Sequence, residues 1–193
     1  MKLAMEKAEL IIISGANGVG KTTFAEPYVT DLGYKFLNAD EIAKKIEQQG
    51  FANAMIKAGR IFFSELNNSI SQRESIVIET TLSGSYINKL AVKAKKLGYH
   101  VKLIYIFVDS EELCIERVKS RVIKGGHDVP EEDIRRRFQR SLHNFWDNFT
   151  KISNSWILLY NGDENYREVA VGSENEFSVE NDELFNHFKQ IKQ

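Results

Sequence analysis

Short apolar runs alternate with segments of helical periodicity along most of the chain. β-branched residues dominate the runs, which is typical of buried strands. The segments between them carry apolar residues three or four positions apart, as amphipathic helices do. This alternation predicts an α/β fold with a five-stranded parallel sheet covered by helices on both faces. The predicted strands are residues 10–13, 34–38, 75–78, 101–108 and 156–160, and the helices lie between them, with an interruption at Gly50.

The pattern changes after Asn161. Residues 168–171 and 176–179 are spaced as the two strands of a hairpin, and Asp182 is a candidate N-cap for a last short helix. Residues 172–183 contain five acidic side chains and no basic one. We therefore predict a main domain at residues 1–162 and a solvated, acidic C-terminal appendage at residues 163–193.

Composition narrows the class of protein. The chain has 193 residues and a net charge of −1, so its overall charge gives no sign of nucleic-acid binding. Cys114 is the only cysteine, which rules out an intramolecular disulfide and suggests a buried thiol in a reducing compartment. The charged N-terminal segment lacks the apolar core of a signal peptide, and no apolar run approaches the ~20 residues of a membrane-spanning helix. We expect a cytoplasmic protein with no membrane partner.

The strongest chemical signal follows the first predicted strand, where residues 15–22 fit the pattern G-x-x-x-x-G-K-[ST]. Glycines in such a loop let backbone N–H groups turn toward phosphate oxygens, and the helix that follows favours anions at its N-terminus. Lys21 is expected to reach the β- and γ-phosphates of ATP, and the Thr22 hydroxyl is the candidate Mg²⁺ ligand. The predicted nucleotide-binding residues of this segment are Gly15, Asn17, Gly18, Val19, Gly20, Lys21, Thr22 and Thr23.

Acidic residues follow the other predicted strands. Asp40 is the best candidate for a carboxylate beside an acceptor hydroxyl, although an N-cap is an alternative role. Glu79 ends an apolar strand and is followed by Thr80 and Thr81, so it is a candidate for the Mg²⁺ shell or for binding acceptor hydroxyls. Asp109 is better explained as a helix cap.

Arginines flank the Gly125-Gly126 pair, and residues 117–140 are expected to form a lid that brings guanidinium groups to a transferring phosphoryl group. A solvated charged face is the alternative, with pairs such as Glu132 and Arg136. RNA binding is disfavoured because stacking aromatics are not interleaved with the basic residues. The candidates that contact phosphate are Arg117, Arg121, Arg136 and Arg140.

The ordered set of motifs resembles the zeta-toxin-like P-loop kinases over about residues 9–162. The motifs are the loop at 15–23, the segments 37–43 and 79–84, and the stretch from Arg117 through Gly125-Gly126 to Asn144. Zeta toxins have nucleotide-kinase-like α/β folds, use ATP and Mg²⁺ to phosphorylate UDP-N-acetylglucosamine, and are blocked by antitoxins. The resemblance implies Asp40 as the base, Glu79 at the acceptor site, and Lys21 with Arg121 and Arg136 as catalytic cations.

We therefore expect a Mg-ATP-dependent phosphotransferase that acts on a hydroxyl of a small molecule, with a UDP-sugar as one candidate acceptor and an antitoxin as a candidate partner. The alternatives are a small-molecule kinase with an unrelated acceptor and a non-catalytic ATP-binding module. A transporter ATPase fits less well, because Leu82-Ser83-Gly84 follows Glu79 instead of preceding the second acidic strand.

Overall fold

Strands and helices alternate as the hydrophobic pattern predicts. The structure is a computed structural model, and it describes residues 7–49, 53–162, 165–174 and 176–192. The predicted interruption at Gly50 lies outside the described residues. The strands are β1 (Glu9–Ser14), β2 (Lys35–Asn38), β3 (Ile76–Thr80), β4 (His100–Phe107), β5 (Ser155–Tyr160), β6 (Arg167–Ser173) and β7 (Phe177–Val179). The helices are α1 (Lys21–Leu32), α2 (Ala39–Gln48), α3 (Ala54–Ser71), α4 (Tyr86–Lys96), α5 (Glu111–Ile123), α6 (Glu131–His143), α7 (Thr150–Ile152) and α8 (Asp182–Ile191), with a π-helix at Asn144–Phe149.

The five predicted strands are parallel and lie in the order β2-β3-β1-β4-β5. β1 is the central strand, and its residues Leu10 to Ile13 are at most 1% exposed. Burial of each such side chain contributes roughly 1.5–3 kcal/mol, which is why near-continuous apolar runs mark these strands. The predicted α/β fold with five parallel strands is confirmed. The carboxyl ends of β1, β2 and β3 meet at one edge of the sheet, where the predicted loop and acidic residues lie.

The C-terminal segment extends this sheet. β6 pairs antiparallel with β5, and β7 pairs antiparallel with β6, so within the described residues the sheet is mixed and has seven strands. The predicted hairpin is present, but the prediction of a solvated appendage does not describe it: Val169, Phe185 and Phe188 belong to the main hydrophobic core. The acidic residues stand at exposed positions around these apolar side chains. The division into two domains at residue 162 stays a prediction.

Helix caps differ from the sequence-based expectation. A short neutral side chain caps three helices for which the sequence offered an aspartate, as the predicted cap for α5 and α8 and as an alternative role of Asp40 for α2. In each case an Asn or Ser oxygen beside the first turn accepts the free backbone N–H groups. Two of the aspartates then lie in the first turn, where the helix dipole favours negative charge. The observed caps are Asn38 for α2 instead of Asp40, Ser110 for α5 instead of Asp109, and Asn181 for α8 instead of Asp182.

Residues 124–130 join α5 to α6, and the two helices pack against each other. The predicted lid at about 117–140 therefore consists of the end of α5, this connection and most of α6. The apolar face of α6 is buried through Ile134, Phe138 and Leu142. The role of this segment as a moving lid stays a prediction.

Truncation of Phe188 tests how firmly the C-terminal helix belongs to the core. Phe188 is 0% exposed and lies against Tyr105, Phe107, Phe145 and Trp146. We expect Phe188→Ala to lower the free energy of unfolding by about 3–5 kcal/mol, measured by urea denaturation, because it leaves a cavity.

The matched control is Phe177→Ala, since Phe177 is 51% exposed on the rim of the same aromatic cluster. We expect it to cost less than half as much, because less apolar surface is returned to water. A cost below about 1 kcal/mol for Phe188→Ala would mean that α8 is a solvated appendage after all.

Candidate active site

The loop between β1 and α1 is shaped by glycines in left-handed conformations. Gly18 has φ of 85°, and a Cβ at this position would lie 2.5 Å from the Cys114 carbonyl oxygen. Gly20 has φ of 93° and is the N-cap residue of α1. Glycine adopts these angles without strain, and at Gly18 it also lets the backbone approach a neighbouring carbonyl closely. The loop therefore wraps around the N-terminus of α1, where unpaired N–H groups favour an anion.

Lys21 is the first residue of α1 and is 7% exposed. Its Nζ donates a 2.8 Å hydrogen bond to the carbonyl of Ala16 inside the loop. Burial lowers the pKa of Lys21, and the nearby carboxylates of Glu79 and Asp40 oppose that shift. The loop thus holds the Lys21 cation, and carboxylates at the carboxyl ends of β2 and β3 compensate its charge.

Glu79 connects three elements at the edge of the sheet. Its carboxylate accepts hydrogen bonds from the Thr22 hydroxyl at 3.1 Å and from Asn38 Nδ2 at 2.7 Å. Burial raises the pKa of Glu79, and Lys21 and the Thr22 hydrogen bond act against that rise. The oxygen of the same Asn38 amide caps α2 by accepting from the backbone N–H groups of Asp40 and Glu41. One buried amide therefore positions both predicted acidic site residues.

Two cavities meet at this edge. The first, which we name the loop cavity, has a volume of about 600 Å³, and the second, the aromatic cavity, has about 310 Å³. Asn17, Lys21, Asp40 and Glu79 line both. The loop cavity is completed by Gly18, Gly20, Thr22, Thr23, Arg117, Arg121, Lys124, Asn161 and Tyr166. The aromatic cavity is completed by Asn38, Ala39, Gly59, Phe62, Phe63, Thr80, Thr81, Ser83, Gly84, Tyr86, Ile87 and Arg137.

Two of the predicted arginines lie in the loop cavity. Arg117 donates to the carbonyls of Asn161 and Gly162, at 2.8 and 3.0 Å. Arg121 donates through Nη2 to the carbonyl of His127 at 2.6 Å. The Nε of Arg121 is buried, and no acceptor among the described residues pairs with it. The side chain of Arg121 lines the loop cavity, so its guanidinium group places positive charge there.

The other two predicted arginines line neither cavity. Arg136 is exposed and pairs with one carboxylate oxygen of Asp133, and Arg140 is exposed further along the same helix. Their neighbour Arg137 lies inside instead, where it donates to Asn17 Oδ1 at 3.2 Å and pairs with Asp133. Successive residues on a helix are rotated by about 100°, so a shift of one position moves a side chain off the site-facing side.

The segment after β5 binds the loop through two side chains that also line the loop cavity. Asn161 Nδ2 donates to the carbonyl of Val19 at 2.9 Å, and the Tyr166 hydroxyl donates to the carbonyl of Gly20 at 2.7 Å. A Cβ on Gly20 would lie 2.5 Å from Asn161 Nδ2 and 2.9 Å from the Tyr166 hydroxyl. Within the loop itself, Gly15 and Val19 are buried and line neither cavity.

These residues fit a nucleotide with its magnesium ion. The loop, Lys21 and the Arg121 guanidinium group provide positive charge and donors for phosphate oxygens. The Thr22 hydroxyl lies beside the Glu79 carboxylate, and oxygen atoms are the ligands that Mg²⁺ prefers. Within the described ranges no cluster of three His, Cys, Asp or Glu side chains could hold a metal alone. Mg²⁺ is usually bound through few protein ligands together with phosphates and water, so this donor set suits it.

The sequence-based set lacks most of the residues that line the aromatic cavity, and it also lacks four that bond to the loop or to Glu79, namely Asn38, Arg137, Asn161 and Tyr166. Asn38 carries a usable signal, because an Asn two residues before an acidic pair at the start of a helix is typical of a cap. Arg137 cannot be separated from Arg136 without the orientation of α6. Asn161 and Tyr166 carry no local signal, because their role depends on the approach of a distant segment to the loop.

The combination of a glycine loop, a buried lysine and a parallel sheet of this order defines a P-loop protein of nucleotide-kinase type. The sequence profile of the AAA domain family matches residues 10–142, so the chain belongs to that family. A Haemophilus influenzae protein described as uncharacterized is 33% identical over 137 residues, which are 71% of this chain and 97% of that protein. A shikimate kinase of Chloroherpeton thalassium is 28% identical over 149 residues, which are 72% of this chain and 77% of the kinase.

Solved structures show the same fold. The AvrRxo1-ORF1:AvrRxo1-ORF2 complex matches with a TM-score of 0.73 at 20% identity, over 97% of this chain and 64% of that one. The PezAT chromosomal toxin–antitoxin system of Streptococcus pneumoniae matches with a TM-score of 0.66 at 17% identity, over 98% of this chain and 80% of that one. At the level of the fold, the predicted resemblance to zeta-toxin-like P-loop kinases is confirmed.

None of the helices in the described part of the chain combines the length and apolar character that crossing a membrane requires.

The accessibility of Cys114 offers a test of how tightly the loop is packed. Burial raises the pKa of this thiol to about 12, although Lys21 and Arg117 act in the opposite direction. The reactive species is the thiolate, so at pH 8 we expect the folded protein to react with a thiol reagent orders of magnitude more slowly than the same protein in urea. Rapid native-state labelling would show that α5 separates from the loop in solution.

Proposed function

We propose that this protein is a Mg-ATP-dependent phosphotransferase that transfers the γ-phosphoryl group to a hydroxyl of a small molecule. The observation that carries the proposal is that the loop cavity and the aromatic cavity share Lys21, Asp40 and Glu79. A donor bound in one cavity and an acceptor bound in the other would meet at these three side chains. Positioning of this kind supplies much of the catalysis of phosphoryl transfer.

The loop cavity is the proposed nucleotide site. The Gly18 and Gly20 backbone and Lys21 would hold the β- and γ-phosphates, with Arg117 and Arg121 at the side formed by α5. Thr22 and Glu79 would hold the magnesium ion, Thr22 directly and Glu79 through its shell. When bound, Mg²⁺ supplies charge neutralisation at the β- and γ-phosphates. The hydrogen bond between Thr22 and Glu79 favours this role for Glu79 over direct contact with the acceptor.

Asp40 is the proposed base. It lies in the first turn of α2, partly buried, and lines both cavities. It would accept the proton of the acceptor hydroxyl as that oxygen bonds to the γ-phosphorus and the bond to the ADP oxygen breaks. Thr80 and Thr81, at the wall of the aromatic cavity, are proposed to bind other acceptor hydroxyls.

The proposed acceptor and the proposed partner rest on the similarity of this chain to other proteins. UDP-sugars are the acceptors of zeta toxins, whereas a curated relative of this chain is a shikimate kinase. UDP-sugars and shikimate are both hydroxyl-bearing ring compounds, and the proposed acceptor is a small molecule of that general kind. An antitoxin protein is the proposed partner, supported by the toxin–antitoxin assembly among the structural neighbours.

Replacement of Asp40 tests the proposal directly. We expect Asp40→Asn to keep ATP binding but to lower transfer by about 10²–10⁴-fold, because the amide cannot accept the proton. The measurement follows γ-labelled ATP with Mg²⁺ and a panel of UDP-sugars, nucleosides, shikimate and a metabolite extract. Glu41→Gln is the matched control, since Glu41 is the next residue of α2 and lines neither cavity.

Two outcomes would argue against this function. Equal turnover by wild type and Asp40→Asn would remove Asp40 from the chemistry. Tight ATP binding without any labelled product from the extract would instead favour a non-catalytic ATP-binding module.

Neighbouring arginines provide a second test. We expect Arg137→Ala to lower transfer by about 10²-fold, because Arg137 lines the aromatic cavity and bonds to Asn17 of the loop, so it would stabilise charge on the transferring group. Arg136→Ala should change transfer less than about threefold, since Arg136 is exposed and lines neither cavity. The measurement is kcat with circular dichroism to confirm folding. A larger loss for Arg136→Ala than for Arg137→Ala would reverse this assignment.

A further inference from the structure

Charge is distributed unevenly along the aromatic cavity. Lys21, Asp40 and Glu79 stand where it meets the loop cavity, and Arg137 is held toward the same end by its hydrogen bond to Asn17. Among the described residues, the remaining lining side chains are uncharged. A charged group on the far part of an acceptor would therefore lose its hydration without gaining an opposite charge.

An aromatic pair forms part of that uncharged end. The rings of Phe63 and Tyr86 lie 4.2 Å apart between centroids and are tilted by 50°. The two residues are 37% and 39% exposed, which leaves ring surface open to the cavity. Asn67 donates to the Tyr86 hydroxyl at 3.1 Å and so fixes this ring. Fixed aromatic surface of this kind binds flat apolar faces.

Gly59 is the second, independent observation. It lies in the interior of α3 and lines the cavity, and a Cβ built on it would meet no described atom within 4 Å. Its φ is not positive, so the backbone does not require glycine. Because glycine is less stable than alanine inside a helix, folding alone disfavours this residue here. The open space beside it is therefore available to a ligand.

We propose that Gly59, Phe63 and Tyr86 select an acceptor whose bound part is an uncharged, hydroxyl-bearing ring with one flat face. The inference rests on the proposed phosphotransfer and deepens it by naming the chemistry of the acceptor. The ring lies against Phe63 and Tyr86 in the space that Gly59 leaves, and one of its hydroxyls reaches Asp40. Ring compounds that carry a carboxylate are rejected, because the cations of the cavity, Lys21 and Arg137, lie toward the loop cavity and not beside the ring.

The first experiment measures binding without catalysis. Full-length protein with Mg²⁺ and a non-hydrolysable ATP analogue is heated with uridine, methyl glucoside, shikimate or gluconate at millimolar concentration. A ligand that binds the folded state raises Tm. We expect a dose-dependent rise with at least one of the two neutral rings and none with the acids. The comparison of uridine with methyl glucoside distinguishes a nucleoside from a sugar. A rise with an acid, or no rise with either neutral ring, would overturn the inference.

The second experiment uses Gly59→Ala with Ser64→Ala as its control, since Ser64 is exposed on the same helix and lines neither cavity. We expect neither substitution to lower the Tm of the ligand-free protein, because alanine favours helix. Only Gly59→Ala should weaken the apparent affinity for the neutral ring, by about tenfold or more, as a misplaced methyl group does in a fitted pocket. A lower ligand-free Tm, or unchanged affinity, would show that Gly59 is not a selectivity residue.

The labelled-ATP assay separates this inference from the proposed function. Neutral rings that bind but receive no phosphate would support the inference and count against the phosphotransferase. Transfer to shikimate or gluconate alone would support the phosphotransferase and overturn the inference.

Discussion

The buried ammonium group of Lys21 is the constraint on which the rest of the site depends. A cation removed from water costs several kcal/mol unless opposite charge and hydrogen bonds compensate it. The Ala16 carbonyl supplies the hydrogen bond, and Glu79 and Asp40 supply the charge. The carboxyl ends of β2 and β3 therefore have to bring acids to the loop. The same arrangement that compensates Lys21 also places two carboxylates where a donor and an acceptor would meet.

Asn38 makes this arrangement rigid. Its side-chain nitrogen holds Glu79, and its side-chain oxygen caps α2, the helix that carries Asp40. A buried amide with both ends satisfied restricts the positions of its partners. The geometry of the proposed base is thus tied to the geometry of the proposed magnesium shell through a single residue that is 6% exposed.

The C-terminal segment has two structural roles that its composition conceals. Tyr166 and Asn161 donate hydrogen bonds to carbonyls of the loop, and Phe188 packs into the aromatic cluster that also contains Tyr105 and Phe145. Tyr105 in turn bonds to Ser141 of α6. The helix that carries Arg137 is therefore packed on a core to which the last forty residues contribute. The sequence of this segment resembles a solvated tail because its acidic side chains occupy the exposed positions.

Local sequence determined three features of this protein, because each depends on neighbouring residues only. Apolar runs encode the five parallel strands, and glycine spacing encodes the loop at 15–22. The acidic residues of the site directly follow the apolar runs. Tertiary structure alone decided that Arg137 faces the site while Arg136 does not, since this depends on which side of α6 packs on the core. It also decided the pairing of β6 with β5 and the approach of Tyr166 to Gly20, which are 146 positions apart. Contacts between segments so distant leave no periodic or compositional trace, because they arise only when the folded sheet brings its edges and its loops together.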